Sequence, residues 1–137
     1  MKRINYTLKP VGFIESEIKH RKDAPLFYNE GAPQAVLKIL PEYITALHRI
    51  KEGDEIIVIT WLHEGDRNVL QVHPRGNKSN PLTGVFLTRS PDRPNPLGLH
   101  RAKVLRIDSI HLHLDAIEAI DGTPVVDIKP VVEINDY

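Results

Sequence analysis

The chain has 137 residues, enough for one domain with its own core and tight for two. Hydrophobic residues at 41% and charged residues at 26% exclude a disordered chain. The 18 basic and 18 acidic residues cancel, which argues against an indiscriminate nucleic-acid binder.

The longest apolar run, residues 56–62, is far too short to span a membrane. With no cysteine, disulfides and thiolate metal sites are excluded. The opening MKRINYTLKP lacks the apolar stretch of a signal peptide, so a cytoplasmic location is expected. The charge is segregated. Residues 71–103 carry six basic side chains (Arg75, Lys78, Arg89, Arg93, Arg101, Lys103) against Asp92, whereas residues 104–137 carry two basic against seven acidic. The basic stretch can draw an anionic ligand, or the two stretches can pair with each other in the fold.

In chain order, the first expected strand covers 11–16, after Pro10. Residues 19–31 are polar and read as a loop. A short apolar strand follows at 35–40. Pro41 then opens a short helix, with Glu42 in its first turn, Tyr43, Ala46, Leu47 and Ile50 at helical spacing, and Gly53 ending it. EIIVITWL at 55–62 is the clearest strand, apolar on both faces and expected in the middle of the sheet. Residues 68–72, after a turn at 64–66, suggest a hairpin with it. A Pro/Gly/Asn-rich loop at 73–83 leads to a short strand at 84–88. Three prolines then interrupt regular structure over 89–98. Further strands are expected at 101–107, 109–114 and 124–129; Ile110, Leu112 and Leu114 alternate with Ser109, His111 and His113. Seven or eight short strands and one clear helix imply a mostly-β fold, a single closed or nearly closed β-barrel with one or two short helices, which removes exposed sheet edges.

Two segments carry chemistry. LTRSPDRPNPLGL at 87–99 presents two arginines and Asn95 from a backbone stiffened by three prolines, a frame suited to anionic or polar ligands. A merely stiff turn with solvated arginines is the alternative. DGTPVVDIKP at 121–130 opens with a turn in which Gly122 supplies a positive φ. On a strand, Asp127 and Lys129 would share one face, where they could form a simple salt bridge. His63, at the end of the central strand, and the loop His73-Pro74-Arg75-Gly76-Asn77 add polar candidates. His111, His113 and Glu118 loosely echo a metal motif whose second half is missing, so no metal site is expected. With no Gly-x-Gly, a Rossmann loop and a P-loop are excluded.

GVFLTRSPDRPNPLGL at 84–99 closely resembles the signature of the TsaA-like domain, the family of TrmO-type tRNA methyltransferases. KPVGFIES at 9–16, GAPQ at 31–34 (without the arginine that the family places before the glutamine), VHPRGN at 72–77, PLTG at 81–84 and IDGTPVVDIKP at 120–130 follow in the family's order. The resemblance implies a single domain over residues 1–137, in the family's compact stand-alone form. It implies a β-barrel that binds S-adenosylmethionine, works as a homodimer and methylates N6 of threonylcarbamoyladenosine beside the tRNA anticodon. A small-molecule or other-RNA methyltransferase, or a non-catalytic cofactor- or RNA-binding module, is the alternative. By position, Pro33, Gln34, His63, Arg89, Leu99, Asp121 and Gly122 would contact the cofactor. Arg93, Asn95 and Lys129 would line the same site, and Asp127 or Asp121 would accept the departing proton. Arg75, Lys78, Arg93 and Arg101 would hold RNA phosphates.

Overall fold

A computed structural model describes residues 3–25 and 30–133. Among these residues eight strands form in chain order: β1 (Gly12–Glu15), β2 (Ala35–Ile39), β3 (Glu55–Trp61), β4 (Gln71–Val72), β5 (Thr83–Gly84), β6 (Leu97–Asp108), β7 (His111–Leu114) and β8 (Pro124–Pro130). Six of them hydrogen-bond in the circuit β1-β2-β7-β6-β3-β8, and β8 returns to β1, so the sheet closes on itself as a barrel. Every pairing is antiparallel. The upper end of the barrel therefore gathers the last residues of β1, β3 and β7 and the first residues of β2, β6 and β8.

Period-2 alternation builds the core. The inward positions Ile14, Leu37, Val58, Val104, Leu112, Leu114 and Val125 are fully buried. β3 alternates along its length, with Ile56, Val58 and Thr60 inside and Ile57, Ile59 and Trp61 half-covered on the outer wall. It lies between β6 and β8, with the longest registers in the fold.

The structure corrects five local expectations. The expected helix is a 3-10 segment, Pro41–Leu47, and Tyr43, Leu47 and Ile50 rest on the lower core while Ala46 is exposed. Segment 68–72 does not form a hairpin with β3, because both edges of β3 are taken by β6 and β8. Its last two residues pair instead with β5. The expected strand 84–88 is mostly a 3-10 turn, Val85–Leu87. β6 starts at Leu97 rather than at 101. Pro94 and Pro96 lack the N–H that a ladder needs, and pairing begins at the residue after the last proline. Ser109 and Ile110 form the β6–β7 turn, with Ser109 at φ 56.

Candidate functional site

The two sequence segments singled out above leave the same end of the barrel. The 62–96 connection follows β3 and carries the proline-rich loop into β6. The 115–123 connection crosses from β7 into β8.

The proline-rich loop is stapled from within. Arg93 donates to three backbone carbonyls, those of Val85, Thr88 and Ser90, at 2.9–3.0 Å. The Thr88 hydroxyl donates to Val85 O and accepts from the Ser90 amide, and Ser90 Oγ accepts from the Asp92 amide. Arg93 was expected both to line the site and to hold RNA; here its guanidinium is half-buried and turned inward on the loop's own carbonyls. Three planar donors around one fork suit arginine and no other side chain.

Two further arginines hold the loop from outside. Arg21 pairs with Asp92 at 2.7 Å, and Asp92 Oδ1 accepts from the Asp66 amide. The Arg21 hydrogen bond holds the Asp92 carboxyl below its ordinary range, against the opposing effect of burial, and Asp92 in turn raises Arg21. Arg67 donates to Pro94 O at 2.6 Å and to Asn95 Oδ1 at 3.0 Å, with its guanidinium 5.1 Å from the centre of the Trp61 ring. Asn95, expected in the site, is thus oriented by Arg67. Arg89 differs from these. It is exposed and makes no hydrogen bond or ion pair among the described residues, so its fork is available to a ligand.

On the opposite rim, Asp121 and Gln34 line one hollow of about 380 Å³ with Glu15, Ser16, Glu17, Lys19 and His113. Asp121 Oδ1 accepts from the Ser16 amide at 2.9 Å, and Oδ2 pairs with Lys19 at 3.1 Å. The Ser16 amide first, then Lys19, lower the Asp121 pKa. A carboxylate so stabilised is a poor proton acceptor and a good partner for a cation. Gly122 has φ +82, the left-handed region, and its amide donates to Ile14 O. Pro33 O accepts from the Ile117 amide, which ties the approach to Gln34 to the 115–123 connection.

His63 is exposed in the turn after β3, also at the upper end. The hollow's lining does not include His63, Arg89 or Leu99. Leu99 faces outward from β6, in one row with Ile59 and Asp127. Arg101, Ile57 and Lys129 form the next row. Asp127 and Lys129 pair with each other at 3.4 Å. They help line a separate hollow of about 550 Å³ at the lower end, beneath Tyr43, Leu47 and Ile50. The single site expected to hold both Asp121 and Lys129 is therefore divided within one copy of the chain, because seven strand residues carry β8 from the upper rim to the lower.

Of the basic residues expected to meet RNA, Lys78 is exposed in the loop after β4. Arg75 pairs with Glu30 at 2.7 Å, and Arg101 with Glu55 at 2.7 Å. Both partners lie in the N-terminal half of the chain. Loop 73–80 is closed by His73 Nδ1 on Asn80 O and by Asn80 Nδ2 on Pro74 O.

The sequence reading missed Arg21, Arg67, Ser16, Lys19, Thr60 and His100, and weighed Glu118 only as a metal ligand; Thr60, His100 and Glu118 form a hydrogen-bonded chain. His100 Nδ1 meets Glu118 Oε1 at 2.7 Å and His100 Nε2 meets Thr60 Oγ1 at 2.6 Å. Among the described residues no group of three His, Asp or Glu side chains is placed to hold a metal ion. No helix of the described residues is long and apolar enough to cross a membrane.

The sequence has well-matched relatives. An S-adenosyl-L-methionine-binding protein of Archaeoglobus fulgidus is 38% identical over 122 residues, which cover 89% of this chain and 86% of that protein. A "Probable S-adenosyl-L-methionine-binding protein" of Methanocaldococcus jannaschii is 43% identical over 128 residues, 90% of each chain. The fold superposes on the crystal structure of TrmO from Pseudomonas aeruginosa with a TM-score of 0.75 at 26% identity, covering 97% of this chain and 59% of that one. The chain thus spans about three-fifths of the solved protein it matches. The sequence model of the tRNA-methyltransferase O N-terminal domain matches residues 13–137, and the chain belongs to that family.

Proposed function

We propose that the chain is an S-adenosylmethionine-dependent methyltransferase that N6-methylates threonylcarbamoyladenosine next to the tRNA anticodon. The observation that carries this reading is the gathering of Gln34, His63, Arg89, Asn95, Asp121 and Gly122 on loops at one end of a closed barrel. Membership of the TrmO family and the names of the archaeal relatives support it.

The donor supplies the reactive methyl group; the protein supplies orientation and electrostatics. Arg89 offers a forked set of donors to a carboxylate. Asp121, held ionised and flanked by Glu15 and Glu17, favours a positively charged group in the upper hollow. The stapled loop supplies a rigid frame at low entropic cost, which in-line transfer to a nitrogen requires. With Asp121 stabilised as the anion, the proton lost from that nitrogen leaves through another acceptor or through water. An unpaired anticodon base can enter such a site without melting a helix. Lys78, Arg75 and Arg101 are the candidates for phosphate contacts.

The same proposal takes the described residues as part of one domain over residues 1–137, working in the cytoplasm as a homodimer. Phe86 and Leu87 are each 85% exposed, and Leu97 and Leu99 are also open on the adjoining outer wall of β6. Apolar side chains so placed support a self-association face. A dimer would also allow the outer-wall residues Asp127 and Lys129 of one copy to serve the upper end of another.

Calorimetric titration with S-adenosylmethionine, with and without an anticodon stem-loop carrying threonylcarbamoyladenosine, tests the reading. Saturable binding with methyl transfer is the expected result. Binding without transfer to that RNA would redirect the search to other substrates, and no binding would overturn the reading.

A further inference from the structure

Thr60 and His100 face the barrel interior at its upper end, where the apolar core gives way to polar groups. Thr60 is fully buried, His100 is 4% exposed, and the Glu118 side chain is 12% exposed. With the proton on His100 Nδ1 donated to Glu118 Oε1, Nε2 is left to accept from the Thr60 hydroxyl, so every polar hydrogen of the chain has an acceptor. Hydroxyl, imidazole and carboxylate in this order resemble a nucleophile, its base and its orienter. Access rules that role out. A Cβ on Gly98 would lie 2.5 Å from Thr60 Oγ1 and 2.7 Å from His100 Nε2, so the strand itself seals the hydroxyl.

The three residues come from three places: the end of β3, the start of β6 and the middle of the 115–123 connection. That connection is already tied to the β1–β2 side by backbone bonds, Ile117 N to Pro33 O, Asp121 N to Ile18 O and Gly122 N to Ile14 O. Towards β3 and β6, its central part is tied by Glu118. Those same two strands carry the other rim: Leu62 N donates to Pro96 O, and the proline-rich loop runs directly into β6.

We propose that Glu118–His100–Thr60 is a cross-barrel brace. It fixes the Asp121–Gly122 turn relative to the Arg89-bearing loop, and so sets the spacing between the two rims of the methyl-donor site. The three are positioning residues. The donor-binding part of the inference rests on the function proposed above. Burying a carboxylate with one oxygen, Oε2, unpartnered among the described residues is costly. A purely apolar plug would fill the space at lower cost, whereas only a hydrogen-bonded chain sets a direction and a length.

Hydrogen exchange followed by NMR tests the brace on the full chain without any ligand. In Glu118→Leu and in His100→Leu, the Ile117 and Gly122 amides should exchange at least tenfold faster relative to the amides of β2. Glu118→Gln, whose Oε1 can still accept from Nδ1, should restore most of the protection. Ile56→Ala, a core variant at the lower end where the start of β3 meets the end of β8, should speed exchange throughout the barrel without that selectivity. An unchanged ratio in Glu118→Leu, or a Glu118→Gln variant as loose as the leucine variant, overturns the brace. Calorimetry on the same proteins should show S-adenosylmethionine binding weakened at least tenfold by Glu118→Leu and much less by Ile56→Ala. Equal weakening by both variants would overturn the positioning role. If the unaltered chain does not bind S-adenosylmethionine, the functional reading fails while the exchange result still decides the brace.

Discussion

Gly98 and Thr60 are direct partners in the β3–β6 ladder, and they sit so close that a methyl group on Gly98 would lie 2.5 Å from Thr60 Oγ1. The glycine of the PLGL motif is therefore demanded by packing over a buried hydroxyl. Gly98→Ala should destabilise the fold by about 1–3 kcal/mol, the usual range for overpacking a tight interior. Gly84→Ala is the control, since a Cβ there meets open space. Thermal unfolding of the two variants side by side checks this; equal midpoints would contradict it.

Arg93 and Arg89 lie in one loop and should behave as opposites. Arg93→Leu removes donors from three carbonyls and should cost about 1–3 kcal/mol of stability. Arg93→Lys should recover only part of the loss, because one ammonium cannot reproduce the fork. Arg89→Ala, at an exposed side chain with no partner among the described residues, should leave stability within about 0.5 kcal/mol. It should instead abolish S-adenosylmethionine binding. Denaturant unfolding and calorimetry on the same samples separate the two roles.

Asp121 should titrate abnormally. Its pKa is lowered in the fold by the Ser16 amide and Lys19. A lowered folded value means that the stabilising contribution is present above the unfolded pKa, about 3.9 for an aspartate, and is lost as pH falls through the folded value. The Asp121 carboxyl carbon, followed by NMR, should therefore show its midpoint below that of exposed aspartates. Ser16→Pro, which removes the amide donor, should move the midpoint upward.

Self-association should depend on the outer wall beside the proline-rich loop. Phe86→Ser with Leu87→Ser removes the most exposed large apolar side chains among the described residues and should shift the proposed dimer to monomer in light scattering at micromolar concentration. A dimer unaffected by both changes would place the interface elsewhere.

Lys129→Ala tests the divided site. Within one copy of the chain, Lys129 lies at the barrel end opposite Asp121. If donor binding in the proposed dimer falls at least tenfold, a second copy brings Lys129 to the upper end. If binding is unchanged, Lys129 acts outside the donor site. Mixing Lys129→Ala with Asp121→Ala subunits distinguishes these further, since restored binding requires one site drawn from two copies.

Much of the barrel was legible in the sequence because side-chain alternation is a local property. The run EIIVITWL, the alternation of residues 109–114 and the segment 124–129 locate β3, β7 and β8 to within two residues. The dense motif at 84–99 and the Asp-Gly turn at 121–122 likewise identify the family and the loops that matter, since proline and glycine act on their own backbone. Partnership between strands is different. Residues 68–72 are a plausible neighbour for β3 until β6 and β8 fill both its edges, and no local pattern records that competition. The roles of individual side chains are equally non-local. Arg93 and Arg89 read alike in the chain, yet one is spent on three carbonyls and the other is free of such contacts among the described residues. His100 carries no motif, and Glu118 enters only a loose metal echo with His111 and His113. His100 and Glu118 become a pair only because antiparallel closure brings the start of β6 under the 115–123 connection, where Glu118 meets His100 Nδ1 while Thr60 meets Nε2.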